Sequence, residues 1–399
     1  MTLGSRKEYL AIMRDRYAEA SREERTVLLD EVCRTCSYAR KYAIALLAPA
    51  QPQGVPPTAN TQRRPRGRPP LYNDPRIKTC VLTLWKAGNL PCGKRLRSMI
   101  PLWLPHYRTK SGKELPPEVI GLLEQISAAS IDRLLASRRQ QFGKLGLATT
   151  KPGAILRTQI PIQRSVWQED RPGYFETDTV AHCGTSTSGI YAYTMNLVDI
   201  ATGWTEQWAM WGRGQHGIIV GLEAIEQDLP FRLLGLDSDN GSEFINWQLL
   251  HYLKRRRSPV HFTRGRPDHA NDNAHIEQKN WCVVRQYLGY DRFDDPAVVP
   301  MLNALYRGPF RLLLNFFIPS MKQIEKQRIG EKIKRRHDQP LTPYQRVMLS
   351  PHVSKKKKQK LIEQFAHLDP FALIEDIQRR VGDILEHCRC ADPDCPYHQ

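Results

Sequence analysis

The chain is 399 residues long, enough for several domains with cores of their own. Its 59 Lys and Arg against 41 Asp and Glu leave a formal charge of +18, which argues against a small acidic metabolite as partner and for an extended polyanion, DNA or RNA; a solvated basic surface, or a ribosomal or membrane-surface role, is the bland alternative. No run of about 18 apolar residues and no signal-peptide pattern is present, and nine scattered cysteines, an odd number, do not make a disulfide framework, so the sequence predicts a protein of the reducing cytoplasm.

From Arg6 to Leu47 apolar residues recur at helical spacing, Tyr9, Ile12 and Met13, then Val27, Leu28 and Val32, among Arg and Glu. A further helix begins after Cys36 and carries Arg40 and Lys41; residues 1–48 fit either a helix-turn-helix that offers these cations to a DNA groove or a small charged bundle. Residues 49–73 are a basic, Pro-rich linker. Its Arg66-Gly67-Arg68, flanked by prolines, resembles an AT-hook, in which two guanidiniums reach the floor of a narrow minor groove, and it reads equally as plain linker. Residues 74–148 predict a second helical, DNA-binding unit. Within it Ser127 stands as an N-cap before a short amphipathic helix bearing Arg133, which suits a recognition helix or core packing. Residues 149–170 read as a connector.

At Gly173 the period changes. Residues 174–180, 190–199 and 205–211 are β-rich runs separated by Gly and Ser turns, an antiparallel meander. A helix is predicted over about 215–227, a strand over 231–236, a helix over 244–254, a short strand over 260–263 and a helix over about 274–288. Residues 336–399 make a small basic C-terminal region with Lys355 to Lys358 and a cysteine-rich end.

Three acidic positions stand out. In Gly235-Leu236-Asp237-Ser238-Asp239-Asn240-Gly241-Ser242-Glu243-Phe244 an apolar strand delivers Asp239 to its end, and a Gly turn leads into a helix. Strand-end carboxylates suit a hard, oxygen-preferring cation, because rigid backbone holds the ligands while other positions stay open to water and phosphate. Glu176 and Asp178 lie within the first strand on one face, and side-chain alternation alone does not choose between them. The third acid, Glu277, lies in Asn271-Asp272-Asn273-Ala274-His275-Ile276-Glu277-Gln278-Lys279-Asn280-Trp281; on a helix Asn273, Glu277, Trp281 and Arg285 share a stripe.

These motifs are similar to the integrase core of retroviral integrases and many bacterial insertion-sequence transposases, the DDE family, and the element order from residue 171 to 335 is that of the ribonuclease H-like fold. Thirty-seven residues lie between Asp239 and Glu277, close to the family's usual spacing. The resemblance implies an α/β ribonuclease H-like core, a mixed five-stranded sheet with flanking helices, preceded by helical helix-turn-helix domains. It implies Asp178, Asp239 and Glu277 as catalytic triad and ligands of two Mg²⁺ or Mn²⁺ ions, which stabilise the attacking and leaving oxygens of an in-line displacement at phosphorus. Double-stranded DNA would be the partner, as the terminal inverted repeats of a mobile element and as target, with a homo-oligomer acting on paired ends near the bacterial nucleoid. Lys279 and Arg285 are candidate phosphate contacts beside ordinary solvated cations. Two other readings share the residues: a catalytically inactive, transposase-derived DNA-binding regulator, and a nuclease that draws on Glu223 and Glu226 of the first helix.

The end of the chain holds Cys388, Cys390, Cys395 and His398, four candidate ligands for a structural Zn²⁺, although the one-residue gap is less usual than a two-residue knuckle. Cys33 and Cys36 have no matching pair and read as core thiols.

Overall fold

The computed structural model describes residues 3–48, 71–107, 110, 112, 114–139, 170–238, 244, 247–264, 280–329 and 332–390. They form two compact units, divided between Pro69 and Pro70.

The first unit is three helices, α1 (Leu3–Glu19), α2 (Arg22–Cys36) and α3 (Arg40–Leu47). Ser21 starts α2 with a reciprocal capping box: its hydroxyl accepts from the Glu24 amide while the Glu24 carboxylate accepts from the Ser21 amide. Ser37, in the left-handed conformation at φ 54°, ends it. Leu10, Met13, Leu28, Leu29, Val32, Ala43 and Leu47 close a small core.

In the second unit, helices come first: α4 (Pro75–Ala87), α5 (Gly93–Trp103), α6 (Pro117–Gln125) and α7 (Ala128–Arg139). Asp132 of α7 accepts the Gly93 amide at 2.9 Å and so serves the first turn of α5. The approach is close enough that a Cβ on Gly93 would lie 2.5 Å from both the Ala128 carbonyl and the Asp132 carboxylate, which is why glycine stands there.

The sheet follows, with β1 (Tyr174–Ala181), β2 (Ala192–Asp199) and β3 (Thr205–Trp211) as the antiparallel meander, then α8 (Gln215–Asp228), β4 (Gly235–Ser238), α9 (Trp247–Arg255) and β5 (His261–Arg264). The strand order is β3-β2-β1-β4-β5, with β4 parallel to β1 and β5 parallel to β4. This is the mixed five-stranded sheet that the sequence predicts. The fourth strand begins four residues later than its apolar run, which starts at Phe231. Phe231 packs its ring on Phe175 and Trp204 instead, and backbone pairing starts where Gly235 comes level with Tyr174.

Past the sheet, a π-helical turn (Asn280–Arg285) runs into α10 (Gln286–Leu288), followed by α11 (Val298–Leu305), a second π-helical turn (Tyr306–Phe310) and α12 (Arg311–Phe317). β3 is an edge strand, and two asparagines blunt it. Asn303 bonds the Ala209 N–H and C=O at 2.7 and 3.0 Å, and Asn315 bonds those of Thr205 at 2.8 and 2.9 Å, so the outward pairing groups of these two residues are used. A two-stranded ribbon, β6 (Gln323–Ile329) with β7 (Lys332–His337), precedes α13 (Pro343–Leu349), α14 (Lys355–Ala366) and α15 (Pro370–Cys390). Neither the ribbon nor these helices is among the elements that the sequence predicts. Phe371, Ile377 and Ile384 of α15 join the same apolar cluster as Leu84 and Trp103 of the early helices and Phe175 and Leu197 of the sheet. No helix of the described residues is long and apolar enough to cross a membrane.

Candidate functional site

One face of the sheet is polar where an apolar core is the rule. Register places Gln207 of β3, Asn196 of β2 and Asp178 of β1 in one row, and Thr205, Val198, Glu176, Asp237 and Thr263 in the row beside it. Asn196, Gln207, Glu176, Asp237 and Thr263 are all buried, whereas Asp178 is half-buried. Buried polar groups persist when they are hydrogen-bonded, and Asn196, Asp237 and Thr263 each take part in such a bond, as does the Gln207 amide nitrogen. The Thr263 hydroxyl donates to Asp237 at 2.5 Å.

A chain of amides ends on Asp178. Gln207 Nε2 donates to Asn196 Oδ1 at 3.0 Å, Asn196 Nδ2 donates to Asn280 Oδ1 at 3.0 Å, and Asn280 Nδ2 donates to Asp178 Oδ2 at 2.5 Å. The other carboxylate oxygen accepts the Thr179 amide at 2.7 Å. An ionised carboxylate accepts only, so its presence sets the direction in which all three amides point. Asp178 is thereby held from two sides.

The geometry also separates the two acids of β1. Glu176 lies level with Asp237, deep between strands, while Asp178 lies one row further toward the end of β4, whose last residue, Ser238, is level with Thr177. Asp239 and Glu277 lie outside the described residues, as do Arg66, Arg68, Lys279, Cys395 and His398. Among the described residues no group of three His, Cys, Asp or Glu side chains gathers in a metal-holding arrangement. Asn280, Asn196 and Gln207 are not among the site residues that the sequence predicts. Asn196 had a signal, since an amide in the apolar run from Tyr193 to Val198 needs a buried partner.

The other predicted residues fall as follows. Arg40 pairs with Asp30 of α2, and Lys41 is exposed. Arg133 is exposed and donates to the Ser130 hydroxyl at 3.1 Å. Arg285 is engaged inside the protein: its guanidinium donates to the Ala181 carbonyl at 2.6 Å and lies 4.8 Å from the centre of the Tyr290 ring. The turn that carries it is π-helical, with i→i+5 bonding, so a four-residue stripe does not run through residues 280–285. Of the nuclease reading's acids, Glu226 is bound by Arg256 at 2.5 Å and Glu223 is exposed. Cys388 sits half-buried on α15 with its thiol pushed up to about 12 by burial and by Asp294, Asp295 and Asp291, a poor start for a thiolate ligand. A cavity of about 520 Å³ opens where β1 and β4 begin, lined among others by Arg171, Arg232, Arg256 and Lys357, away from Asp178.

Beyond the end of β1, His182 stacks on Phe293 and shares a buried hydrogen-bond string with the hydroxyls of Thr194 and Tyr306, each step 2.8 Å. Burial, helped by the Arg285 charge, pushes its pKa down to about 3. Between there and the unfolded value of about 6.5 only the unfolded chain takes up the proton, so stability is lost as pH falls through that window. Asp199 opposes it. Burial raises its pKa to about 6, so its share of stability is present below about 3.8 and lost as pH rises toward 6. The two slopes offset each other in the wild-type protein, and His182→Phe leaves only the second. The unfolding free energy of His182→Phe relative to wild type, from urea melts, is therefore expected to rise on going from pH 7 to pH 5, by about 1–2 kcal/mol. A difference that stays constant with pH would show that His182 does not titrate this way.

The fold defines the chain as an α/β protein with a mixed sheet core and helices around it. No family model matches it. Over 352 residues it is 34% identical to an uncharacterized protein, y4rM, of Sinorhizobium fredii, with 87% of this chain and 96% of that protein covered. The chain belongs to the family of that protein.

Proposed function

We propose that the protein is a DNA-cleaving and strand-joining enzyme of the DDE transposase and integrase class, with a ribonuclease H-like core and Asp178, Asp239 and Glu277 as its acids. One observation carries this reading. Asp178 stands beside the end of the parallel strand β4, the next residue of which is Asp239, and it is fastened to Asn280, three residues after Glu277. Thus two segments adjoining the other predicted acids meet the first one. The order of three antiparallel strands, helix, strand, helix, strand supports the fold assignment. Within the first unit, α2 and α3 joined by a three-residue turn suit a helix-turn-helix, with Lys41 on the second helix free to meet phosphate.

The donor set suits a hard divalent cation: a half-buried carboxylate on rigid strand, hydrogen-bonded to a backbone amide and a side-chain amide. Mg²⁺ or Mn²⁺ held by Asp178, Asp239 and Glu277 would supply charge stabilisation to a displacement at phosphorus. The chain's own contribution is positional. Two hydrogen bonds fix the Asp178 carboxylate, and the amide string keeps Asn280 in place, so the segment that follows Glu277 is tied to the first strand.

The test uses the full chain, duplex oligonucleotides from the DNA flanking its gene, and strand nicking read on denaturing gels. Cutting should require Mg²⁺ or Mn²⁺ and stop with chelator. Asp239→Asn and Glu277→Gln should each lower it by at least roughly 10²–10³-fold, a loss of several kcal/mol of charge stabilisation, with duplex affinity unchanged. Undiminished cutting by either variant overturns the assignment. Tight binding of the ends with no cutting in either metal makes the protein a DNA-binding regulator instead.

A further inference from the structure

The ribbon of β6 and β7 has no core to belong to. On β6 Gln323, Ile324, Glu325 and Gln327 are exposed, and on β7 Lys334, Arg335, Arg336 and His337 are exposed, so both faces of the ribbon meet solvent. Isolated two-stranded hairpins are marginal in water, and the side chains described on this one are exposed. Its base, by contrast, is clamped. The Lys322 amide donates to Asp338 Oδ1 at 2.6 Å and the Asp338 amide to the Lys322 carbonyl at 2.9 Å. Arg346 then holds Asp338 Oδ2 at 2.7 Å and the Ser320 carbonyl at 3.0 Å, and Lys322 Nζ donates to the Ala201 carbonyl. The protein thus presents a fixed stalk bearing a ribbon that lacks a partner of its own among the described residues.

The charge of the ribbon identifies that partner. Between Gln323 and His337 the sequence places Lys326, Arg328, Lys332, Lys334, Arg335 and Arg336 against Glu325 and Glu331. Register sets Lys326 opposite Arg335 and Glu325 opposite Arg336. Among the described residues Lys334, Arg335 and Arg336 have neither an ion pair nor a side-chain hydrogen bond. A protein-binding surface would need a desolvated apolar centre, and among the ribbon's described side chains the exposed large apolar residue is Ile324. An excess of cations of one sign suits a line of phosphates. The shape agrees: seven residues of β6 at about 3.3 Å each span roughly 23 Å, and the major groove of B-DNA, about 12 Å wide, admits a two-stranded ribbon.

We infer that the β6–β7 ribbon is a DNA-docking element that enters the major groove of a duplex and contacts its phosphates through Lys334, Arg335 and Arg336. The ribbon springs from the turn between β2 and β3, at the end of the sheet where β1 begins, so it holds DNA rather than touching the acids. Binding of a polyanion stands on the ribbon's own charge and topology. That the polyanion is the duplex which the acids cut rests on the reading above.

The experiment measures affinity of the full chain for a fluorescent DNA duplex across a series of salt concentrations, without divalent metal. The triple variant Lys334→Glu, Arg335→Glu, Arg336→Glu should weaken binding at least tenfold near 0.1 M salt and flatten the plot of log Kd against log salt by about 3, one for each phosphate that is no longer neutralised. Its melting temperature should match wild type, since the ribbon adds nothing to the core. Lys358→Glu with Lys360→Glu on α14 provides a basic-surface control that should change neither slope nor fold. A duplex RNA of the same sequence should bind more weakly, because its major groove is too deep and narrow to admit side chains. An unchanged salt slope in the triple variant overturns the proposal, and equal loss on DNA and RNA overturns groove docking. Cutting activity separates the two proposals: ribbon-dependent binding without cutting leaves the ribbon standing and the enzyme reading fallen, and cutting with a ribbon-independent affinity does the reverse.

Discussion

Asp178→Asn is expected to lower metal-dependent strand cutting by about 10³-fold or more while the protein stays folded and keeps its grip on DNA. The loss follows from chemistry: an amide of the same shape brings no negative charge to a divalent cation, and several kcal/mol of stabilisation go with it. Retention of the fold follows from the amide string. With Asn at position 178, turning over Asn280, Asn196 and Gln207 together reverses every donor and acceptor, so that Gln207 Oε1, a buried oxygen that has no partner among the described residues of the wild-type protein, accepts from Asn196. The reversal keeps every amide bond of the string and exchanges one unpaired Gln207 atom for the other rather than adding one, so its cost is small. Asn280→Ala works differently. It leaves the carboxylate but removes its fastener and strands the Asn196 amide, so a loss of roughly 10–100-fold in activity or metal affinity is expected. Initial rates with circular dichroism and thermal melting on both variants decide the matter. Asp178→Asn within tenfold of wild type, or unfolded under conditions where Asn280→Ala is folded, would remove Asp178 from the site.

What the sequence reveals here depends on the range over which each feature is specified. The meander was legible because β1, β2 and β3 carry their β-branched and aromatic residues locally, between turns at Gly184, Gly189 and Gly203, all of positive φ. The start of β4 was not, because Phe231 is apolar for packing on Phe175 and Trp204 rather than for pairing, and composition does not distinguish the two. The ribbon escaped notice for a related reason: Lys, Arg and Glu are poor strand formers, and backbone pairing alone makes β6 and β7. Likewise α15 looked like a charged tail, since its buried Phe371, Ile377 and Ile384 are diluted by Arg and Asp on the outer face. The position of Asp178 was predicted from a motif, yet what fixes its carboxylate, Asn280, is 102 residues away and emerges only when the π-helical turn is laid across the sheet.

The same long-range logic makes Trp103→Ala the most damaging single change for stability, with an expected cost of about 3–5 kcal/mol. Trp103 is fully buried, its indole N–H donates to the Phe317 carbonyl at 3.0 Å, and its ring meets Phe317 and Phe371 edge-on at 6.2 and 5.4 Å. It therefore joins α5 to α12 and α15 at once, and Arg95 adds a bond to the Pro319 carbonyl at 2.7 Å. Two residues before Phe317, Asn315 grips the edge of β3 through Thr205, which pairs with β2. If that linkage is mechanical, the damage will not stay on α5. Amide hydrogen exchange should rise in α4, α5 and α7 and also in β2 and β3, alongside the lower urea midpoint; a rise confined to α5 would show the helices and the sheet to be separate stability units. Rigid coupling matters for the proposed chemistry, because a DNA contact made by α7 would then be held at a fixed distance from Asp178. In-line displacement tolerates errors of only about an ångström in where the phosphate lies, and a helical region mounted on the sheet through Trp103 supplies that constancy.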